Sequence, residues 1–206
     1  MEGIDSINRG KQTPREIIQA FNEKLTISGE APGLEPGEKA PNFSLKNQFE
    51  KIVTLNEILR KGPVILSFYR GEWCGHCSRE MQQIASVQEQ LNQKNVTVLA
   101  IAPQHPQDAV KMSEKNNLHF DLLSDPDFKI ITLYKLKFIL SKDVQDVYEN
   151  KFNLNLPNLT ANKSWELPIP ATFLINQKGI IVESYVETDY TKRLTGDELL
   201  ELLNKT

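Results

Sequence analysis

Apolar residues along the chain fall into short unbroken runs and into stripes of helical spacing. Pro63-Val64-Ile65-Leu66-Ser67-Phe68-Tyr69 is a nearly continuous apolar run, the pattern of a strand covered on both faces of a sheet. It predicts the first central strand. A helix over residues 74 to about 92 follows, with Met81, Ile84, Val87, Gln88 and Leu91 recurring at helical spacing, and residues 96–102 predict a second buried strand. Strand, helix and strand make a βαβ unit, whose strands should be parallel and joined right-handed.

Beyond this unit, residues 107–116 read as a helix, Phe120-Asp121-Leu122-Leu123 as a short strand and residues 128–133 as helical. Residues 135–168 alternate lysines with apolar positions and then run through FNLNLPNLTANKSWELP, which reads as an excursion on the edge of the domain. Two further apolar runs, 171–175 and 180–186, flank Asn176-Gln177-Lys178-Gly179, a hairpin signal in which glycine can take a positive φ. Thr195-Gly196-Asp197-Glu198 is a capping box ahead of Leu199, Leu200, Leu202 and Leu203, so an amphipathic helix closes the chain.

Residues 1–35 read as a helical extension and 36–206 as the main domain. The extension holds a helix from Pro14 to about Lys24 with Thr13 as N-cap. Its stripe of Ile17, Ile18, Phe21 and Leu25 packs on its own domain, with a dimer contact as the alternative. The run Ala31-Pro32-Gly33-Leu34-Glu35-Pro36-Gly37 breaks regular structure, and the compact part should begin near Ala40. The order of elements predicts an α/β domain, a central sheet flanked by helices, with its chemistry at the carboxyl end of the first central strand.

Composition narrows the partners. The 206 residues carry a net charge of -3 with both signs interspersed, which gives no broad positive field for nucleic acid or an anionic membrane surface. The amino terminus, MEGIDSINRGKQTPRE, lacks an apolar run that could serve as a signal-peptide core, and no stretch approaches the length of a membrane span, so the cytoplasm is the expected location. Two cysteines in a chain of this length are too few for a disulfide scaffold, so their spacing must carry the meaning.

Cys74 and Cys77 sit within Glu72-Trp73-Cys74-Gly75-His76-Cys77, just past a predicted strand and at a predicted helix start. A disulfide needs Cα atoms roughly 4.4 to 6.8 Å apart, which residues three apart meet when the first caps a helix. Unpaired N–H groups and the helix dipole at that end stabilise a thiolate, lowering a thiol pKa from about 8.5 towards about 3.5 to 7.5. His76 between them can add positive charge and make the pair a better oxidant. A zinc half-site would need two more ligands, and His105 and His119 lie neither at finger spacing nor beside a second cysteine. Two inert buried thiols would not be expected at a strand end among Trp73, Gly75 and His76. Reversible redox chemistry is the reading the spacing favours.

The motif Trp73-Cys74-Gly75-His76-Cys77 resembles the active site of thioredoxin-superfamily proteins, its CGHC form being similar to that of protein disulfide isomerases. The longer pattern resembles the peroxiredoxin-like branch of the alkyl hydroperoxide reductase and thiol-specific antioxidant superfamily. It runs from Gly37-Glu38-Lys39-Ala40-Pro41-Asn42-Phe43 through Phe68-Tyr69-Arg70-Gly71 to Cys77. It continues through Ile101-Ala102-Pro103-Gln104, Leu123-Ser124-Asp125-Pro126, Pro168-Ile169-Pro170-Ala171-Thr172-Phe173 and Asp189-Tyr190-Thr191-Lys192-Arg193. The resemblance spans about residues 36 to 205. It implies a thioredoxin-like fold with a central mixed sheet, and it implies that Pro170 is a cis-proline facing the dithiol. From the dipeptide pattern alone, Pro170 could equally be a trans turn residue.

The chain departs from peroxiredoxins proper in its motif. The family's peroxide-attacking cysteine falls on Cys77, its threonine on Cys74, its proline on Arg70 and its later active-site arginine on Pro170. Helix-end electrostatics favour Cys74 as nucleophile, whereas the alignment favours Cys77. Arg70 is a candidate replacement cation or a solvated strand-end residue, and Glu72, Trp73 and His76 are candidate supporting residues. The expected activity is that of an antioxidant thiol peroxidase forming a Cys74–Cys77 disulfide, recycled by a thioredoxin-type or glutathione-type reductant. Thiol-disulfide exchange on protein disulfides and a non-catalytic redox switch are the alternatives. No cofactor or metal is called for.

Overall fold

The computed structural model describes residues 12–203. A seven-stranded mixed sheet forms its centre. In chain order the strands are β1 (Ser44–Asn47), β2 (Ile52–Thr54), β3 (Val64–Phe68), β4 (Thr97–Ala102), β5 (Asp121–Ser124), β8 (Ala171–Ile175) and β9 (Ile181–Val186), with β6 (Lys137–Ile139) and β7 (Glu166–Pro168) set apart as a two-stranded sheet. The order across the large sheet is β2-β1-β5-β4-β3-β8-β9. The β3, β4 and β5 strands are parallel, and β8 runs antiparallel to β3 with Phe68 opposite Ala171. The predicted βαβ unit and hairpin are both present. The β1–β2 pair was not read from the sequence.

Alternation along the central strands divides the core into two. Val64, Leu66 and Phe68 point to one face of β3, where they meet Leu99, Ile101, Phe173 and Ile175. Ile65 and Tyr69 point to the other, with Val98, Ala100, Leu122 and Leu174. Both faces are therefore buried, which is why these segments read as continuous apolar runs rather than alternating ones.

The predicted long helix is two, α3 (Gly75–Ser86) and α4 (Gln88–Gln93), because Val87 leaves the helical region with φ -110° and ψ 7°. The closing helix α9 (Gly196–Leu203) docks at that break: a Cβ on Gly196 would lie 2.8 Å from Val87 Cγ1. Thr195 and Glu198 cap it reciprocally. Helix α5 (Pro106–Asn116) covers the same face as α3, and the short helices α2 (Leu55–Leu59) and α6 (Lys129–Leu133) bury their apolar residues on the other.

Helix α1 (Pro14–Ser28) has a complete capping box between Thr13 and Glu16 and ends at Gly29 with φ 61°. Ile18 and Leu25 are buried in the core on the opposite face of the sheet from α3, and Ile17 and Phe21 pack against it. The same core receives the segment that had no clear sequence pattern. Its helix α7 (Lys142–Asn150) buries Val144, Val147 and Tyr148, and β6 and β7 bury Phe138 and Leu167. Residues 135–168 thus roof one face of the sheet rather than decorating its edge. No helix among the described residues is long and apolar enough to cross a membrane.

Because Leu25 is almost wholly enclosed, Leu25→Ala should lower the free energy of unfolding by about 2–4 kcal/mol in urea titration, with an unchanged dependence on denaturant. A loss below about 0.5 kcal/mol would mean that α1 is not part of the cooperative core.

Candidate active site

The β3 strand ends at Phe68 and the chain turns through Tyr69, Arg70 and Gly71 into α3. Gly71 takes φ 141°, and a Cβ there would lie 2.6 Å from Trp73 Nε1, so glycine is required for the turn to close under the indole. The Glu72 backbone N–H donates to Gln104 Oε1 at 3.1 Å, and Gln104 Nε2 donates to Tyr69 Oη at 2.7 Å. The Glu72 carboxylate pairs instead with Lys115 at 3.1 Å. Glu72 therefore supports the site through its main chain.

Cys74 is the N-cap of α3 with an extended backbone (φ -90°, ψ 107°), and Cys77 lies in the first turn. Both are free thiols, 4 % and 0 % exposed. Their titrations are driven apart. The Cys77 thiol donates a hydrogen bond to the Cys74 sulfur, and with the Arg70 charge, the Cys77 backbone N–H and the Arg193 charge this brings Cys74 down to about 6 against the opposing effect of burial. Cys77 is pushed well above its ordinary value by burial first, then by its hydrogen bond to Cys74 and the charge there.

The charges come from two guanidinium groups. Arg70 is buried, its carbon 4.1 Å from the centre of the Tyr190 ring, 4.9 Å from Trp73 and 5.6 Å from Tyr148. Its Nη2 donates to Tyr148 Oη, and its Nε and Nη1 have no hydrogen-bond partner. Arg193, in the segment after β9, brings Nη2 to 3.7 Å from Cys77 Sγ and Nε to 2.9 Å from Glu80 Oε2, an ion pair without hydrogen-bond alignment. Glu80 is raised to about 8 because burial disfavours its charge more than Arg193 favours it, with Cys77 adding to the rise.

Two expectations are corrected here. His76 does not supply the positive charge: burial first, then Arg193, Arg70 and Arg79, hold its imidazole below the ordinary value, and it stands edge-on to Tyr190 with ring centres 5.7 Å apart. The Ile169–Pro170 bond is trans, since the described residues contain no cis peptide bond. The chain here runs extended from one sheet to the other: Pro168 pairs with Lys137, the Ile169 N–H donates to Leu136 O at 2.8 Å, and β8 begins at Ala171. Pro170 nevertheless lines a cavity together with Arg70 and Tyr190.

Cys74, Cys77, Trp73, His76 and Arg70 thus converge, while Glu80, Tyr148, Tyr190 and Arg193 were missed as site residues. Glu80 had a readable signal. It stands three residues after Cys77 on the stripe shared with Met81 and Ile84, so a carboxylate was being carried into the core.

Against known proteins, the profile of the AhpC/TSA family matches residues 36–184. A Helicobacter pylori protein bearing the name peroxiredoxin bcp is 29% identical over 125 residues, 59% of this chain and 82% of its own length. The thiol-disulfide oxidoreductase ResA of Bacillus cereus is 26% identical over 164 residues, 79% of this chain and 76% of its own. The crystal structure of peroxidoxin BcpB from Mycobacterium tuberculosis superposes with a TM-score of 0.66 at 16% identity, covering 84% of this chain and 96% of that one.

If Arg70 holds the Cys74 thiolate, Arg70→Gln should slow alkylation of Cys74 by iodoacetamide at pH 6 by about fivefold, the loss of thiolate that a rise of about one pKa unit from about 6 produces at that pH. Peptide mass spectrometry assigns the modified sulfur. An unchanged rate in a folded variant would show that Arg70 does not set this titration.

Proposed function

Since the chain belongs to the AhpC/TSA family, we propose that it reduces hydroperoxides with Cys74 as the attacking thiolate and Cys77 as the resolving thiol. The observation that carries this reading is the placement of the two sulfurs, Cys74 at the cap of α3 and Cys77 fully enclosed in its first turn with Arg193 at 3.7 Å, an arrangement that draws Cys74 below the ordinary thiol value and pushes Cys77 above it. The Cys74 sulfur attacks one peroxide oxygen, the O–O bond breaks, and the other oxygen leaves as an alcohol or water after gaining a proton. The resulting Cys74 sulfenic acid is attacked by the Cys77 sulfur, which gives up its proton. Water leaves and the disulfide forms. The peroxide gains two electrons and the dithiol loses two.

Arg70 is placed to favour negative charge at Cys74 and on the departing oxygen. Arg193, 3.7 Å from Cys77 Sγ, favours the Cys77 anion as it forms. A thioredoxin-type or glutathione-type thiol then returns the pair to the reduced form, and a cytosolic setting, where such thiols are kept reduced, belongs to the same reading.

Thiol-disulfide exchange is the second reading, favoured by Cys74 at the helix cap. It ranks lower because Cys74 is only 4 % exposed. A small peroxide reaches such a sulfur more readily than a protein disulfide does, and the trans Pro170 leaves the thioredoxin-like substrate edge without its expected geometry.

With stoichiometric hydroperoxide, Cys77→Ser should accumulate a sulfenic acid trapped by dimedone on Cys74, and Cys74→Ser should react no faster than a free thiol. Rapid sulfenic acid on Cys77 in the Cys74→Ser protein would reverse the order. Failure of both variants and of the wild type to consume peroxide, with insulin reduction intact, would favour the exchange reading.

A further inference from the structure

The charge on Arg70 acts at Cys74 only while the turn that carries it keeps its shape. The β3–β4 ladder reaches Tyr69, whose N–H donates to Ile101 O at 3.0 Å, and α3 begins at Gly75. Between them Gly71, at φ 141°, has access to backbone conformations closed to other residues, so the turn is not held by its own chain.

Gln104 spans this stretch from outside. It lies in the connection from β4 to α5, is 2 % exposed, and has its frame fixed by its neighbours: the Asp125 N–H donates to Ala102 O at 2.9 Å and the Ala161 N–H to Pro103 O at 3.3 Å. A main-chain N–H can only donate, so the amide oxygen of Gln104 faces Glu72 and its amino group faces the Tyr69 phenol. One side chain therefore grips the turn at residues 69 and 72, on either side of Arg70. Tyr69 is wholly enclosed and Gln104 nearly so, and solvent does not make good the loss of such bonds.

Three residues bring charge or hydrogen bonds to Cys74: Cys77 on α3, Arg70 in the turn and Arg193 in the segment after β9. Of these, Arg70 alone lies within the span that Gln104 grips. Its guanidinium is placed by ring contacts to Tyr190 and Trp73 and by one hydrogen bond to Tyr148, and its attraction for a thiolate weakens as the distance grows. We propose that Gln104 is a positioning residue: by holding both sides of the turn it keeps the Arg70 guanidinium beside the Cys74 sulfur. In the proposed reaction this makes an amide on the neighbouring strand's loop a determinant of how readily the attacking thiolate forms, a role that rests on Arg70 acting on Cys74.

The rate of Cys74 alkylation by iodoacetamide across pH, with the modified sulfur assigned by peptide mass spectrometry, tests this in a double-mutant cycle. Gln104→Met, which keeps the shape and removes both bonds, should raise the Cys74 midpoint by about half a pH unit and slow alkylation at pH 6 by about twofold. In the Arg70→Gln background the same substitution should change neither. Tyr69→Phe removes one of the two bonds and should move the midpoint in the same direction by less, which supplies the measurement if Gln104→Met does not fold. Leu25→Ala, which costs stability far from the turn in sequence and on the other core face, should leave the midpoint where it is. An unmoved midpoint in the folded Gln104 and Tyr69 variants, an equal shift with and without Arg70, or an equal shift in Leu25→Ala overturns the assignment. No effect of Arg70→Gln itself would overturn it together with the role of Arg70. The expected cycle in a protein that consumes no peroxide would remove the peroxidase reading and leave the role of Gln104 standing.

Discussion

A buried guanidinium is a costly element in any fold, and here two, only one of them met by a carboxylate, lie beside a pair of sulfurs. Arg70 is answered by aromatic faces and a phenol; Arg193 is answered by Glu80, itself so deeply buried that its charge is disfavoured. The excess positive potential at the start of α3 is what a thiolate neutralises. Because Cys74 caps the helix under the Arg70 and Arg193 charges while Cys77 lies fully enclosed in the first turn, one sulfur becomes the anion and the other remains the proton donor.

Distant parts of the chain are needed to create that potential. Arg70 comes from the end of the central strand, Tyr148 from the roof formed by residues 135–168, and Tyr190 and Arg193 from the segment following the hairpin. The mixed sheet makes the convergence possible, since antiparallel β8 sets out from the carboxyl end of β3, where Ala171 faces Phe68, and β9 returns the chain to that end, where Val186 faces Ala171. The peroxiredoxin-like resemblance assigned an arginine to the position now held by Pro170. Cations are instead supplied from the positions of Arg70 and Arg193, so the charge requirement is met although the motif is altered.

What could be read from the sequence was local or periodic. The strands of the βαβ unit and the hairpin stood out because burial on both faces leaves unbroken apolar runs, and the redox pair because three-residue spacing at a helix start has few other uses. Residues 135–168 did not stand out. Their two strands are only three residues each and α8 (Leu156–Leu159) four, too short for a period to emerge. Arg193 lies 116 residues from Cys77 within a polar Asp-Tyr-Thr-Lys-Arg run, so nothing nearby marks it as buried. His76 was misread for a related reason: its neighbours in sequence suggest a cation, but its neighbours in space are arginines that oppose one.

The account depends on the order in which the two sulfurs lose their protons. Carbon-13 NMR of the reduced protein with labelled cysteine β-carbons, assigned through the single cysteine variants and followed across pH, reports each thiol separately. The Cys74 signal should titrate with a midpoint near about 6 while Cys77 holds its thiol shift well above pH 9. A Cys77 signal that moves first, or two signals that move together at the ordinary thiol value, would contradict the arrangement of charge on which the site rests.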